Sequence, residues 1–269
     1  MAMVEDLGEL DNTIVVMTGD HGWPFPRGKA NLYDAGARIA MAIRWPEGIE
    51  APGRAAAGFV VASDLAPTFL EAAGLEVPGA MTGRSLMPLL RNGGEEAPDR
   101  DAAFFGRERH TPAQETGNPG GYPSRAIRTA DYLYIHNFES DRWPAGTPDW
   151  EDANMGDGWL GDVDNGPAKF YMWANRHDPD VRPLYDLAFG KRPAEELYDV
   201  REDRYQMNNL AGDPDYAEVQ DELRGRLMEY LEATEDPRAT DAPVEFDAYP
   251  YFGGIPEWPG QETLAEYER

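Results

Sequence analysis

The chain has 269 residues, 41% of them hydrophobic, which is enough to bury the core of one large or two modest domains. It contains no cysteine, so disulfides, thiolate metal sites and a cysteine nucleophile are excluded within these residues. The formal net charge of -26 repels nucleic acids and anionic membranes, and we predict neither as a partner. No apolar run reaches the roughly 18 residues that a membrane-spanning helix needs. The acidic N-terminus lacks the apolar segment of a signal peptide.

The N-terminal part of the chain has the alternation typical of an α/β domain. Residues 5–10 have the character of the end of a helix, and residues 13–17 form a continuous apolar run that predicts a buried parallel strand. Residues 39–45 predict a second strand. A helix then begins at Asp64, which is a typical N-cap residue, and ends at Gly74. Strand, crossover, strand and helix together favour a layered α/β fold.

The composition changes after this helix. Residues 92–100 are polar and rich in turn formers, residues 102–106 predict one more strand, and residues 111–123 form a Gly/Pro-rich loop. Residues 124–129 and 132–137 are short strands separated by two residues, which predicts an antiparallel pair.

The last part of the chain contains one clear helix. Residues 140–183 show little periodicity, and we predict a long irregular segment there. Residues 196–200 predict a strand, whereas residues 215–234 predict a helix. Its apolar positions recur at helical spacing: Val219, Leu223, Leu227, Tyr230 and Leu231. The last thirty residues are rich in proline and aromatic residues, and we expect them to wrap over the surface.

The stretch "TGDHGWPFPRGKANLYDAG", residues 18–36, concentrates residues that suit a functional site. Asp20 and His21 follow an apolar strand, and ligands gather at the carboxyl ends of strands in open α/β sheets. A divalent metal there would polarise a bound oxygen, although a hydrogen-bonded turn explains the pair equally simply. Lys29 lies between two small residues and suits contact with an anion, although lysines are more often solvated. Pro24 and Pro26 fix φ and are expected to hold this loop.

Several other residues leave two interpretations open. Arg27 is interpreted as a surface residue, and His136 as a structural residue within a strand. Arg107 and Arg109 are ordinary surface charges or offset the acidic surface near an anionic ligand. Four tryptophans crowd one irregular region and supply either its core or a face on which sugars stack: Trp143, Trp150, Trp159 and Trp173.

The sequence resembles the sulfatase family of the alkaline-phosphatase-like superfamily over roughly residues 5–92. The segments that carry this resemblance are "LGELDNTIVVMTGDHG", "GKANLYDAGARIAMAIRWP", "ASDLAPTFLEAAGL" and "TGRSLMPLL". Further segments are similar to heparan N-sulfatases: "WPFPRGKANLY", "FFGRERH", "YPSRAIRTADYLYIHNF" and "EELYDVREDRYQMNNLAGDP". The resemblance implies the C-terminal part of a mixed sheet flanked by helices over residues 1–118. It implies a smaller α+β subdomain with an antiparallel sheet over residues 119–269.

The resemblance also implies roles for individual residues. Asp20 and His21 correspond to metal ligands, and Lys29 to the cation that contacts sulfate and stabilises charge on the transferring group. The usual metal is Ca²⁺, but many members have Asn at the position of His21, and imidazole better suits Mn²⁺ or another transition metal. His110 falls where heparan N-sulfatases have a histidine near the pocket, with a surface histidine as the alternative. Arg125 is expected to be structural or to face the substrate.

One motif of the family does not occur in these residues. Sulfatases carry a C/S-x-P-x-R motif whose first residue becomes formylglycine, and this chain has only "GYPSR" at residues 121–125, where glycine has no side chain to oxidise. The sequence therefore resembles the C-terminal half of a sulfatase. We expect it to be inactive and to bind metal poorly by itself. We also expect an association with a second copy or with the complementary half.

The function expected from this resemblance is hydrolysis of a sulfuric ester or sulfamate on a sulfated sugar. A non-catalytic protein that binds sulfated glycans, one half of a split enzyme, and a phosphomonoesterase or phosphodiesterase of the same superfamily are the alternatives. Family members are usually periplasmic, extracellular or lysosomal, and the sequence leaves the location of this chain open.

Overall fold

The computed structural model describes residues 1–56, 58–93, 97–240 and 242–269. They divide into two compact units. The first unit comprises residues 1–20 and 39–104, and the second comprises residues 21–38 and 105–269. The domains predicted for this chain, residues 1–118 and 119–269, stay a prediction.

The structure is a mixture of helices and antiparallel strands, in agreement with the predicted α/β class. The strands are β1 (Val15–Thr18), β2 (Met41–Arg44), β3 (Ala102–Arg107), β4 (Ser124–Thr129), β5 (Tyr132–Asn137) and β6 (Glu195–Asp199). The helices are α1 (Ala2–Asp6), α2 (Asp34–Ala37), α3 (Leu65–Ala72), α4 (Met87–Arg91), α5 (Pro167–Ala174), α6 (Arg182–Phe189), α7 (Ala217–Ala233) and α8 (Gln261–Ala265). None of the helices among the described residues is long and apolar enough to cross a membrane.

The sheet of the first unit differs from the predicted parallel arrangement. β1 and β2 pair antiparallel, with Val15 opposite Arg44 and Thr18 opposite Met41. The chain between these strands contains only the four-residue helix α2, whereas a parallel pair needs a crossover of a dozen or more residues that is usually helical. α1 also ends at Asp6, earlier than predicted, because Gly8 turns the chain with φ at +71°.

The helices of the first unit surround a buried ion pair. The Arg100 guanidinium lies 2.8 Å from the Asp64 carboxylate, and both side chains are buried. Asp64 also accepts hydrogen bonds from the backbone N–H groups of Val61 and Arg84, at 3.2 and 2.7 Å. The predicted N-cap residue therefore also joins the start of α3 to a segment about twenty residues further on.

The second unit contains a four-stranded sheet in the order β3-β4-β5-β6. β4 and β5 have the boundaries and the antiparallel pairing predicted from the sequence, with Arg125 opposite His136. β6 pairs antiparallel with β5 and begins one residue before the predicted strand. Ala126, Leu133 and Ile135 are buried in one core with residues of neighbouring segments.

α7 confirms the predicted C-terminal helix. It buries Leu223, Leu227 and Leu231 at helical spacing, as expected for an amphipathic helix. The Arg224 guanidinium donates to both carboxylate oxygens of Glu195 on β6, with the Nη2 contact at 2.7 Å. This bidentate pair joins the helix to the edge of the sheet.

A second core forms where the sequence predicted irregular structure. Trp159 is fully buried between α5, α6 and the C-terminal segment, against Trp173 and Trp258. The prediction of irregular structure over residues 140–183 missed α5 and the start of α6, each of which has a proline in its first turn, where proline is favoured. The C-terminal segment also does more than wrap the surface, because Leu264 of α8 is completely buried.

Candidate functional site

The loop that carries Lys29 is closed by its own backbone. Gly22 N–H donates to Gly36 O at 2.8 Å, and Lys29 N–H donates to Trp23 O at 2.6 Å. A Cβ atom at Gly36 would lie 2.2 Å from Gly28 O, so only glycine permits this close approach. The loop therefore holds Lys29 on a compact, internally bonded turn.

Three side chains attach this loop to the rest of the second unit. Tyr33 is buried and donates its hydroxyl to the Glu196 carboxylate at 2.6 Å. Arg128 binds both carboxylate oxygens of Asp34, at 3.0 and 3.1 Å. Arg27 stacks 3.8 Å above the Tyr33 ring and donates to a backbone carbonyl of α6, so the prediction of a surface residue is wrong. The Arg27 guanidinium is held between the Tyr33 ring and the Leu187 carbonyl.

Lys29 is already paired with an acid. Its ammonium lies 3.2 Å from both carboxylate oxygens of Asp164. The side chains are 25% and 44% exposed, so water reaches the pair. Ion pairs in such surroundings contribute at most about 1 kcal/mol, and an incoming anion can replace the carboxylate at little cost.

His110 faces a buried acid. Its Nδ1 lies 3.2 Å from Asp162 Oδ1, which also accepts a hydrogen bond from the Thr111 hydroxyl at 2.6 Å. Burial opposes the charge on Asp162, but the His110 hydrogen bond and the Arg107 charge hold the pKa of Asp162 below its ordinary value. An ionised Asp162 fixes the ring through Nδ1 and leaves Nε2 as the atom for a ligand. His110 itself is about one-third exposed.

Arg107 connects the Lys29 loop to the His110 pair. Its guanidinium donates to Ala30 O, and to Tyr122 O and Pro144 O at 3.0 Å each. It also lies 3.8 Å from Asp162. Burial lowers the pKa of Arg107, which the charge of Asp162 opposes. Arg107 is therefore a buried connecting residue, and the interpretation of it as an ordinary surface charge is wrong.

Lys169 holds the loop that supplies both acids. Its ammonium donates to three backbone carbonyls, those of Trp159, Leu160 and Val163, at 2.8–3.2 Å, and to the Asn165 side chain at 2.9 Å. Burial lowers the pKa of Lys169 to about 7. Asp162 and Asp164 both lie between the first and last residues that Lys169 bonds, Trp159 and Asn165. Lys169 therefore fixes the turn that carries the acids facing His110 and Lys29.

Arg125 is used entirely within the fold. All five of its N–H groups donate to protein acceptors, namely Asp236, Glu108 and the backbone carbonyls of Arg107 and Ser124. The side chain is 10% exposed. No donor is left for a substrate, which favours the structural role over the substrate-binding role considered from the sequence.

Other aromatic and histidine side chains are placed as follows. Trp23 is 65% exposed. His136 is half-buried against the Phe138 ring, and burial lowers the pKa of His136. His177 is exposed. Arg109 donates to carbonyls of the C-terminal segment at Asp247 and Tyr249.

The predicted metal ligands are adjacent in the chain, at the point where the two units meet in sequence. Asp20 ends the first stretch of one unit, and His21, whose Nδ1 lies 2.8 Å from Gly22 O, begins the other. No group of three or more His, Asp or Glu side chains able to hold a metal occurs in the described ranges. The described residues therefore do not complete a divalent-metal site.

The sequence and fold match known proteins. Residues 19–145 match the family described as N-sulphoglucosamine sulphohydrolase, C-terminal. The chain is 28% identical to human N-sulphoglucosamine sulphohydrolase over 87% of this chain and 44% of that protein. It is 29% identical to the N-acetylglucosamine-6-O-sulfatase of Bacteroides thetaiotaomicron over 90% of this chain and 33% of that protein. A solved structure bound to its substrate D-glucosamine-2-N,6-O-disulfate is 28% identical, with a TM-score of 0.58 over 88% of this chain and 38% of the other.

These matches show that the fold is of the type found in sulfatases, which are hydrolases. The chain is similar to the C-terminal part of sulfatases. It spans less than half the length of each of these relatives.

Sequence reasoning selected Lys29 and His110 but missed their partners. Asp162 and Asp164 lie in "GDVDNG", residues 161–166, within the segment predicted to be irregular. The alternating acids between two glycines were the available signal, yet nothing local connects them to a lysine 135 positions away.

Proposed function

We propose that this chain contributes to the hydrolysis of sulfate from sulfated amino sugars of the N-sulfoglucosamine class. The observation that carries the proposal is the pairing of Lys29 with Asp164 on a closed loop, with the His110–Asp162 pair attached through Arg107. The family match and the relatives that act on sulfated glucosamine support it.

In this proposal, the Lys29 ammonium exchanges the Asp164 carboxylate for a sulfate oxygen. The exchange conserves one ion pair, so it is nearly balanced in free energy. The ammonium then stabilises negative charge that grows on the sulfate group as its bond to the sugar breaks. The chain carries 50 acidic against 24 basic residues, so a local cation is required for any anionic ligand to bind.

His110 is proposed to contact the sugar through Nε2. Asp162 fixes the opposite ring nitrogen, which sets both the tautomer and the orientation of the ring. The proton at Nε2 can then be held or accepted at a defined position beside the bound sugar.

Asp20 and His21 are proposed as contributors to a divalent-metal site. A carboxylate suits Ca²⁺, and an imidazole suits Mn²⁺ or a related ion. Because the described residues provide no third ligand at one place, such a site needs ligands beyond these two. The metal would supply polarisation of a sulfate oxygen.

The test is the affinity of the 269-residue chain for N-sulfoglucosamine, measured by calorimetry. We expect Lys29→Gln to weaken binding about tenfold, equivalent to about 1.4 kcal/mol. Lys191→Gln is the matched control, because Lys191 is exposed and lies over the Trp143 ring. An unchanged affinity in Lys29→Gln would remove Lys29 from the proposed site.

Asp164→Asn tests the exchange step separately. Removal of the competing carboxylate should strengthen binding about threefold, as expected for a partly exposed ion pair. A weaker affinity would show that Asp164 contacts the sugar directly and that the exchange step is wrong.

A further inference from the structure

A groove in the second unit is lined mainly by aromatic side chains. It has a volume of about 440 Å³, which lies within the range of small-molecule sites. Its lining includes Trp150, Trp173, Tyr185 and Trp258, with Asp149 and Arg176 among the polar residues. None of these residues belongs to the group formed by Lys29, Asp164, His110 and Asp162. The proposed sulfate site therefore does not account for the groove.

The aromatic wall of the groove is held rigidly. The Trp150 and Trp258 rings stack with centroids 5.8 Å apart and planes inclined by 12°. Trp258 packs at 4.9 Å against Trp173 and at 5.0 Å against the buried Trp159, and its backbone N–H donates to Asp157 O at 2.8 Å. Trp150, Trp173 and Trp258 remain half-buried. A ligand would therefore meet preorganised indole faces, which lowers the entropic cost of binding.

The groove also holds a cation in an otherwise acidic chain. The Arg176 guanidinium lies 3.6 Å above the Trp173 ring and donates to Trp173 O at 2.8 Å. Within the described part of the chain, no carboxylate pairs with Arg176. Its charge is therefore available to an anionic group on a ligand. The exposed Asp149 and Gln261 supply hydrogen-bonding groups in the same lining.

We propose that this groove binds a pyranose unit that carries a sulfate or carboxylate group. The apolar face of the sugar packs on the tryptophan rings, the anion pairs with Arg176, and hydroxyl groups bond to Asp149 and Gln261. Flat indole faces bordered by amide, carboxylate and guanidinium groups suit a sugar, which has one apolar face and a polar rim. The choice of a sulfated saccharide as the ligand rests on the proposed function, whereas the groove itself does not.

The first experiment locates the ligand directly. An N-sulfated disaccharide containing a uronic acid is titrated into the ¹⁵N-labelled chain, and the indole N–H signals are followed after assignment by single Trp→Phe variants. We expect shifts for Trp150, Trp173 and Trp258 but not for Trp45 or Trp143. Shifts confined to tryptophans outside the groove, or no shifts at saturating disaccharide, would overturn the proposal.

The second experiment tests the charge. Arg176→Gln should weaken the apparent affinity measured from the groove shifts about tenfold, because the anion of the ligand loses its cationic partner. Lys191→Gln is the control, because it removes a cation over a tryptophan outside the groove. The desulfated, carboxyl-reduced disaccharide should bind wild type and Arg176→Gln equally. Equal binding of the charged disaccharide by both would refute the role of Arg176.

Lys29→Gln separates this inference from the proposed function. If groove shifts persist in Lys29→Gln, and adding Lys29→Gln to Arg176→Gln leaves the N-sulfoglucosamine affinity unchanged, the groove stands and the proposed sulfate site falls. If Lys29→Gln weakens N-sulfoglucosamine binding but the disaccharide shifts no groove indole, the sulfate site stands and the groove falls.

Discussion

The two units achieve their order by different means. In the second unit, the central strand β5 buries Leu133, Tyr134 and Ile135 almost completely within a four-stranded sheet. In the first unit, β1 has one neighbour and its residue Met17 is 73% exposed. The strand sequences are similarly apolar, so hydrophobicity alone does not decide whether a strand becomes the centre of a core. The number of elements packed against the strand decides it.

The first unit also contains a buried polar network beside its apolar cluster of Leu86, Met87, Leu89 and Leu90. The Asp64 carboxylate joins Val61, Arg84 and Arg100 in one buried network, and the Arg100 guanidinium also donates to Arg84 O and Ser85 O at 2.9 Å each. A buried carboxylate satisfied in this way specifies one arrangement of its partners. Loss of one member leaves an uncompensated charge, which is more costly than loss of a contact.

The largest expected effect comes from breaking this network. Asp64→Ala should destabilise the first unit by about 4 kcal/mol, because Arg100 remains buried without its partner. Urea unfolding followed by amide exchange in α3 and in β5 would measure it, with the loss confined to α3. Asp99→Ala is the control, since Asp99 is exposed and pairs with Arg84 only at 3.9 Å. A loss shared equally by both units would contradict the comparison.

The second largest effect concerns the sheet core. Ile135→Ala should destabilise the second unit by about 3 kcal/mol through lost burial and the cavity left behind. Amide exchange in β4–β6 should report it, while exchange in α3 stays constant. Comparable acceleration in α3 would mean that the units unfold as one cooperative structure.

A pH-dependent effect should also be confined to the second unit. Hydrogen bonds from Arg224 lower the pKa of Glu195 to about 2, despite the opposing effect of burial. The stabilisation is complete above the ordinary pKa of 4.5 and is lost as the pH falls toward 2. Glu195→Gln should therefore flatten the decline of the urea midpoint between pH 5 and pH 2. Glu218→Gln, an exposed change on α7, the helix that carries Arg224, should leave that decline intact.

The smallest effect is expected at β1. Met17→Ser should change the free energy of unfolding by less than about 0.5 kcal/mol, because the side chain is already in water. Met17→Ser should also reduce self-association in sedimentation experiments, because exposed apolar groups beside a short sheet promote association between chains. A destabilisation of 2 kcal/mol or more would show that β1 lies in a core after all.

The elements that sequence predicted well are those whose pattern is local. β4 and β5 were placed to the residue, because two short segments typical of strands flank a two-residue turn. α7 was found from leucines that recur at helical spacing. By contrast, α5 and α6 each have a proline in the first turn, and their residues pack in the cluster around Trp159, which no local pattern indicated.

The sequence by itself determined the family resemblance, the strand pair, the long helix and the choice of Lys29 and His110. Those features depend on residue types and on the spacing of residues that are close together in the sequence. Only the tertiary structure decided that Asp164 neutralises Lys29, that Asp162 fixes His110, and that Arg125 has no donor left for a ligand. Each of these outcomes joins residues dozens of positions apart, and a charge has no partner until folding brings another charge within about 4 Å of it.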